Sequence, residues 1–392
     1  MKDKQCLYPH FGITLEAFGE VRLCTSAMDV EFDLKNEAID LRDILNSSQY
    51  EEVREVFNRG ELPSSCRSCK KVEGKGVLSK REIFTKKRTE KYGKEKVEAI
   101  LSQKVKKPLH LSIGFSNNCN LQCSMCSSKY SQLWKSNEEA FNRENKNAIE
   151  SYGQYVMNSQ NIDELVEVSE ECTDIFIKGG EPFYSPEALS FLKKLSERSH
   201  RPHVFIQTNG TILTKEIMDI IVKLNIEVGI SIDGVGSTYE WIRGFSYQSI
   251  VSNIEKISKL SANTDHKISL DHTTSIFNVT SLPSTFDTFL DLMQKNQGIG
   301  HLSVFSIARQ DRNNFLALPL LLRETIHNEL ASKNKSFVEA YDVLSKSLVL
   351  KQLTDKQQEI TRDWIHFLER SRGKIPARAN ESFSSWLKES SL

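Results

Sequence analysis

The sequence predicts an α/β fold: a partial (β/α)6 TIM-like barrel, with a small cysteine-rich lobe before it and a helical tail after it. Three observations lead there. Short β-branched or apolar runs recur at 109–115, 174–178, 203–207, 227–232, 267–273 and 301–307. Helical patterns separate them, for example over 186–199, 214–224, 247–260 and 279–294; strand–helix alternation of this kind makes a parallel sheet. Seven of the eight cysteines fall into two groups, Cys6, Cys24, Cys66 and Cys69 in one and Cys119, Cys123 and Cys126 in the other; Cys172 stands alone.

Taken in order, residues 1–79 read as a loop-rich lobe with a helical patch at 41–58. Residues 80–107 form a basic connector with eleven Lys or Arg against four Asp or Glu, a net +7 in a chain of zero formal charge. No aromatic interleaving accompanies this charge, so a solvated helix is expected there and a nucleic-acid partner is not. The regular alternation occupies 108–310. The tail, 311–392, reads as helices with apolar spacing through 337–350 and 363–368, and with Trp364 and Trp386 as packing anchors.

With 392 residues, 39% hydrophobic and 27% charged, the chain has room for one large domain and a smaller one. No apolar run approaches the roughly 20 residues of a membrane-spanning helix. The polar start, Met1-Lys2-Asp3-Lys4-Gln5, has no apolar signal stretch, so a cytoplasmic location without membrane contact is expected. Eight cysteines are too few for a disulfide scaffold in a chain this long. In a reducing compartment, grouped thiols read as metal or cluster ligands.

The first predicted strand runs into Cys119-Asn120-Leu121-Gln122-Cys123-Ser124-Met125-Cys126, a C-x-x-x-C-x-x-C spacing in a polar loop. Three thiolates this close reach three corners of a four-iron cluster and leave one iron open to a chelating small molecule. Structural zinc prefers four ligands, commonly as two separated pairs, and the loop supplies neither. The second strand ends in Gly179-Gly180-Glu181-Pro182, the third in Thr208-Asn209-Gly210, and the fourth runs into Ser231-Ile232-Asp233-Gly234. In parallel α/β barrels the ligand face is built from the C-terminal strand ends, and these motifs share that end with the cysteine loop. Glu181 offers a carboxylate to an ammonium group. On the fifth strand Asp271 and His272 have opposite facings, and one of them is expected to point inward. Cys172 reads as a small core residue.

These motifs resemble the radical S-adenosylmethionine (SAM) superfamily. The resemblance rests on the cysteine spacing and on Gly179-Gly180-Glu181-Pro182, and covers roughly residues 1–310. Met125 departs from it, since the family usually has an aromatic residue before the third cysteine. Thr208-Asn209-Gly210-Thr211, Ser231-Ile232-Asp233-Gly234 and Tyr239-Glu240-Trp241-Ile242-Arg243 are similar to the branch with twitch or SPASM auxiliary-cluster domains. Cys6-Leu7-Tyr8-Pro9, Gly19-Glu20-Val21-Arg22-Leu23-Cys24 and Cys66-Arg67-Ser68-Cys69 resemble a twitch domain placed ahead of the barrel.

The resemblance implies that Cys119, Cys123 and Cys126 hold a SAM-binding 4Fe-4S cluster. It also implies that Cys6, Cys24, Cys66 and Cys69 hold a second, auxiliary 4Fe-4S cluster; four thiolates equally suit zinc. Gly179, Gly180, Glu181 and Pro182 would line the SAM amino end. Thr208, Asn209, Ser231 and Asp233 would meet its ribose and methionine parts, and Arg243 its carboxylate. The implied activity is reductive cleavage of SAM to a 5′-deoxyadenosyl radical and hydrogen abstraction from a peptide or small hydroxylated metabolite. A flavodoxin or ferredoxin would supply electrons, and the auxiliary cluster would assist their transfer. The competing function is an iron–sulfur electron carrier or redox-sensing regulator, which has no need of a SAM pocket.

Overall fold

The computed structural model describes residues 5–388 apart from 28, 30, 35–39, 75–77, 105, 146–148, 262–267, 307–310, 333–347 and 349–351. Most of the helical pattern expected at 337–350 lies outside the described residues. The chain forms two compact units. One comprises 1–118, 154–206 and 223–226; the other comprises 119–153, 207–222 and 227–392.

In the first unit the strands β1 (Gly12–Leu15), β2 (Glu20–Arg22), β3 (Phe32–Asp33), β4 (His110–Gly114), β5 (Asp174–Lys178) and β6 (His203–Thr208) lie in the order β3-β2-β1-β4-β5-β6. The unit boundary falls within β6, after Ile206. β4, β5 and β6 pair in parallel, as the alternation predicts. The lobe departs from its loop-rich reading. β1, with all four residues buried, pairs in parallel with β4, and β2 folds back on β1 as an antiparallel hairpin. Gly19, at φ +80°, supplies the left-handed turn of that hairpin. Four residues were too short a run to show periodicity.

The basic stretch is two helices, Lys80–Tyr92 and Lys94–Ser102, the first opened by a Ser79/Glu82 capping box. Lys80, Lys86, Lys87, Lys94 and Lys96 are exposed, as a solvated helix requires. Three other cations are committed to partners. Arg81 is buried against Glu73 at 2.9 Å and donates to the Gln5 carbonyl. Arg88 and Lys91 each reach Asp174 at the start of β5, both at 2.8 Å. Burial alone would raise the Asp174 carboxyl, but His203, Lys91 and Arg88 hold it well below the usual range. Part of the excess charge is therefore committed to the sheet. Cys172 is fully buried, its thiol donating to the Pro108 carbonyl, in keeping with a core role.

In the second unit β7 (Glu227–Ser231), β8 (Ile268–Thr274) and β9 (Ile299–Ser306) are parallel neighbours in that order. Helices Gly236–Arg243, Tyr247–Ser261 and Leu282–Lys295 connect them. The tail contributes Leu320–Ala331, Asp355–Arg372 and Glu381–Lys388. Trp364 and Trp386 are buried, as expected of packing anchors. Trp364 packs against Trp134, ring centroids 5.4 Å apart, and edge-on against Phe141.

Candidate metal centre

The three-cysteine loop lies in the second unit and has no regular secondary structure from Cys119 to Cys126. Its backbone is held from outside. The carbonyl of Leu121 accepts from Ser131 Oγ at 2.8 Å, that of Cys123 from the Trp134 indole at 2.9 Å, and that of Met125 from Asn313 Nδ2 at 3.0 Å. Arg312 donates to the Cys126 carbonyl at 3.1 Å and to buried Glu138 at 2.7 Å, and Arg372 donates to the Gln122 carbonyl. One loop N–H faces sulfur, that of Leu121, 3.4 Å from Cys119 Sγ. Ser124 N–H donates to Ile242 O at 2.8 Å. Sequence reasoning gave the tail little part here. Arg312, Asn313 and Arg372 lie 186 to 250 residues from the carbonyls they hold, and no local pattern signals such a pairing.

Arg243 and Asp233 form a buried ion pair, and Asp233 Oδ1 also accepts the Thr273 N–H at 2.8 Å. Burial pushes the Cys123 thiol up, while the Arg243 guanidinium beside it opposes that rise. The Cys126 thiol is pushed up to about 12, by burial first and by Cys123 second. Asn209 is brought to the loop: its Nδ2 donates to Asn120 Oδ1 at 2.9 Å and stands 3.9 Å from Cys119 Sγ. Thr208 Oγ1 closes the following turn by accepting the Gly210 N–H at 3.0 Å. Ser231 Oγ accepts from Gln207 Nε2 at 3.0 Å.

Gly179, Gly180, Glu181 and Pro182 belong to the first unit. The glycines are required by the protein's own backbone. A Cβ at Gly180 would lie 2.0 Å from the Asn118 carbonyl oxygen, and Gly179 takes φ +120°. Glu181 N–H donates to that same Asn118 carbonyl at 2.8 Å. The Glu181 carboxylate, 1% exposed, caps the short 3-10 helix Pro182–Tyr184 by accepting the Phe183 N–H at 3.0 Å.

The four N-terminal cysteines come together in the first unit. Cys6 is within electrostatic reach of Cys24, Cys66 and Cys69, and all but Cys24 are buried. Cys66 ends a 3-10 turn and Cys69 sits in the helix Arg67–Glu73 that follows. Burial, then Cys24 and Cys69, push the Cys66 thiol up to about 12.

Among the described residues no three His, Cys, Asp or Glu side chains are gathered tightly enough to share one metal ion. Cubane clusters take one thiolate per iron and hold their ligands further apart than a single ion does. Buried thiols with raised pKa values bear thiolate charge when cationic iron compensates it, so both donor sets fit iron–sulfur clusters.

Comparison with known proteins agrees with this. Residues 113–277 match the Radical SAM superfamily, and residues 6–70 match the SPASM iron–sulfur cluster-binding domain. A cysteine-type anaerobic sulfatase-maturating enzyme of Clostridium novyi is 30% identical over 156 residues, 37% of this chain and 38% of that protein. An uncharacterized protein of Methanocaldococcus jannaschii is 29% identical over 132 residues, 32% of this chain and 39% of that one. The matched stretch is thus under two fifths of either relative's length. Among solved structures, anSMEcpe with bound AdoMet aligns at TM-score 0.40 and 17% identity, covering 57% of this chain and 62% of that one. SuiB of Streptococcus suis bound to S-adenosylmethionine aligns at TM-score 0.39 and 16% identity, covering 84% and 73%. The chain carries a radical SAM domain at 113–277, whose cofactors are a 4Fe-4S cluster and SAM, and a SPASM cluster-binding domain at 6–70.

Proposed function

We propose that the chain is a radical SAM oxidoreductase or modifying enzyme acting on a peptide or a small hydroxylated molecule. Cys119, Cys123 and Cys126 hold its SAM cluster, and Cys6, Cys24, Cys66 and Cys69 hold an auxiliary 4Fe-4S cluster. The single observation that carries this reading is the cysteine loop, its carbonyls held by side chains of Ser131, Trp134, Arg312, Asn313 and Arg372. A loop so fixed keeps its thiols in one arrangement without help from a helix or strand. The chemistry supplied by the bound cluster and SAM is one-electron cleavage to methionine and a 5′-deoxyadenosyl radical that abstracts hydrogen.

The protein's own part is to hold and orient. Gly179, Gly180, Glu181 and Pro182 are assigned to the amino end of SAM, and Thr208, Asn209 and Ser231 to its methionine and ribose. Arg243 is reassigned. In place of a SAM carboxylate it meets Asp233 and stands beside Cys123, where a cation favours thiolate. The relative named for maturing a sulfatase favours a protein or peptide substrate. A flavodoxin or ferredoxin is the assigned electron donor. The assigned location is the cytoplasm; among the described residues no helix is long and apolar enough to cross a membrane.

The test is anaerobic reconstitution, reduction by dithionite and chromatographic detection of 5′-deoxyadenosine without added substrate. The wild type is expected to form it. Glu181→Ala is expected to weaken SAM binding by roughly tenfold to a hundredfold, the loss of one charge-assisted hydrogen bond. A reduced, fully loaded wild type that forms no 5′-deoxyadenosine, and whose paramagnetic resonance spectrum SAM does not alter, would leave the electron-carrier reading in its place.

A further inference from the structure

Three guanidinium groups converge on the three-cysteine loop, and they differ in what answers their charge. Arg243 is paired with the fully buried Asp233, and Cys123 is within electrostatic reach of both. Arg312 donates to Glu138 at 2.7 Å, with side chains 6% and 0% exposed, and Cys126 is within that arginine's reach. Each of these two cations brings its own carboxylate, so neither pair adds much net charge.

Arg372 is different. It is the last residue of the helix Asp355–Arg372, which Gly373 ends at φ +75°. The Gly373 carbonyl accepts from the Trp241 indole at 2.9 Å and so fixes that end to the helix Gly236–Arg243. From there Arg372 donates to three carbonyls: Trp241 at 3.0 Å, Ile242 at 3.4 Å, and Gln122, the residue before Cys123. Its guanidinium carbon lies 5.6 Å from the centroid of the Trp134 ring, whose indole holds the Cys123 carbonyl. Among the described residues Arg372 has no carboxylate partner. Burial opposes its charge, and the charged group that favours it is Cys123. Arginine stays protonated in proteins, and carbonyls carry only partial charge. A net positive charge therefore remains beside Cys123.

Reducing an iron–sulfur cluster adds one electron, here from the assigned donor, and local charge is one of the levers that set its potential. A fixed cation in a partly buried place lowers the free energy of the added negative charge. We propose that Arg372, through its unbalanced charge beside Cys123, raises the reduction potential of the cluster held by Cys119, Cys123 and Cys126. This rests on reading the chain as a radical SAM enzyme, and it gives the helical tail a part in the electron step. By the same physics, Glu138 keeps Arg312 from doing likewise at Cys126.

The test is a redox titration of the reconstituted full chain followed by paramagnetic resonance, the loop cluster's signal being the one missing from Cys123→Ala. Arg372→Gln keeps an N–H donor and removes the charge; Arg372→Lys keeps the charge and loses the planar fork. Arg372→Gln is expected to lower the reduced-to-oxidised ratio at a given potential by about tenfold, a downward shift of about 59 mV for a one-electron couple. Arg372→Lys is expected to stay close to the wild type. Glu138→Gln, which strips Arg312 of its counter-charge, is expected to shift the potential upward. An unshifted Arg372→Gln overturns the inference, and so does an unshifted or lowered Glu138→Gln. A shift in Arg372→Lys equal to that in Arg372→Gln overturns it too, because the loop contacts and not the charge would then be responsible. If either Arg372→Gln or Glu138→Gln fails to hold iron, the sign of the other decides. Failure of the enzyme reading shows separately, as absent SAM cleavage by the wild type, because the potential is measured without SAM.

Discussion

The two cysteine sites achieve burial by different means. The three-cysteine loop has no regular structure, and the carbonyls of Leu121, Gln122, Cys123, Met125 and Cys126 are each tied by a side chain. Four of those five donors are the Trp134 indole, the Arg312 and Arg372 guanidinium groups and the Asn313 amide. The four-cysteine set is built differently, from short elements. Cys66 and Cys69 ride a 3-10 turn and a helix, and Cys24 closes the strand pair with Ser26 N–H 3.4 Å from its sulfur. Its nearby cation, Arg81, answers Glu73 and the Gln5 carbonyl instead of loop carbonyls near the thiols. Shape at the first site comes from distant side chains; at the second it comes from local backbone. A loop held in this way suits the proposed cluster, which must leave one iron open.

The sharpest way to break this comparison is to remove ligands. The reconstituted wild type is expected to hold about eight irons in two four-iron clusters. Cys123→Ala is expected to abolish 5′-deoxyadenosine formation and lower the iron content by about half. Cys66→Ala with Cys69→Ala is expected to lose a similar amount of iron while SAM cleavage stays detectable. Zinc bound at the N-terminal four, measured by metal analysis, would separate the sites further and remove the auxiliary-cluster role.

Arg81 tests the local site next. Its side chain is 6% exposed, and removing one partner of a buried ion pair leaves the other uncompensated. Arg81→Met is expected to lower stability to urea by about 3 kcal/mol, with SAM cleavage by the surviving folded protein little changed. The smallest expected effect concerns Arg372, which spans the Gln122, Trp241 and Ile242 carbonyls. Arg372→Met is expected to slow SAM cleavage by roughly tenfold, as one or two charged hydrogen bonds are lost from the loop, with iron content retained. Loss of iron equal to that of Cys123→Ala would show that the arginine maintains the cluster itself.

The strands of the alternating region were legible because each is a short apolar run bounded by turn residues. β5 was read to its ends at Asp174 and Lys178, and the other five fall within two residues of their expected limits. The two cysteine groups were legible through their spacing, which is local. What escaped was non-local or too brief. β1 is four residues long, and its partner β4 begins at His110. Arg88 and Lys91 read as surface charge because Asp174 lies more than eighty residues away. The sequence placed Asp233 and Arg243 at a ligand; ten residues apart, they meet each other. Gly179 and Gly180 were read as lining the SAM amino end; the close approach of the Asn118 backbone to Gly180, which also requires a glycine, was not visible in the sequence.

The pairing of β1 with β4 has a consequence for how the molecule is made. Gly12 finds its partner His110 almost a hundred residues later. At roughly 5–20 residues per second, synthesis leaves β1 waiting several seconds or more on the ribosome before β4 emerges. Until then β1 has only the short strands β2 and β3 beside it, a unit too small to be secure by itself. The first four cysteines therefore appear early but gain a finished sheet late. A shortened chain starting after the lobe would meet the converse difficulty: β4 would become a bare edge, with its hydrogen-bonding groups open to another copy.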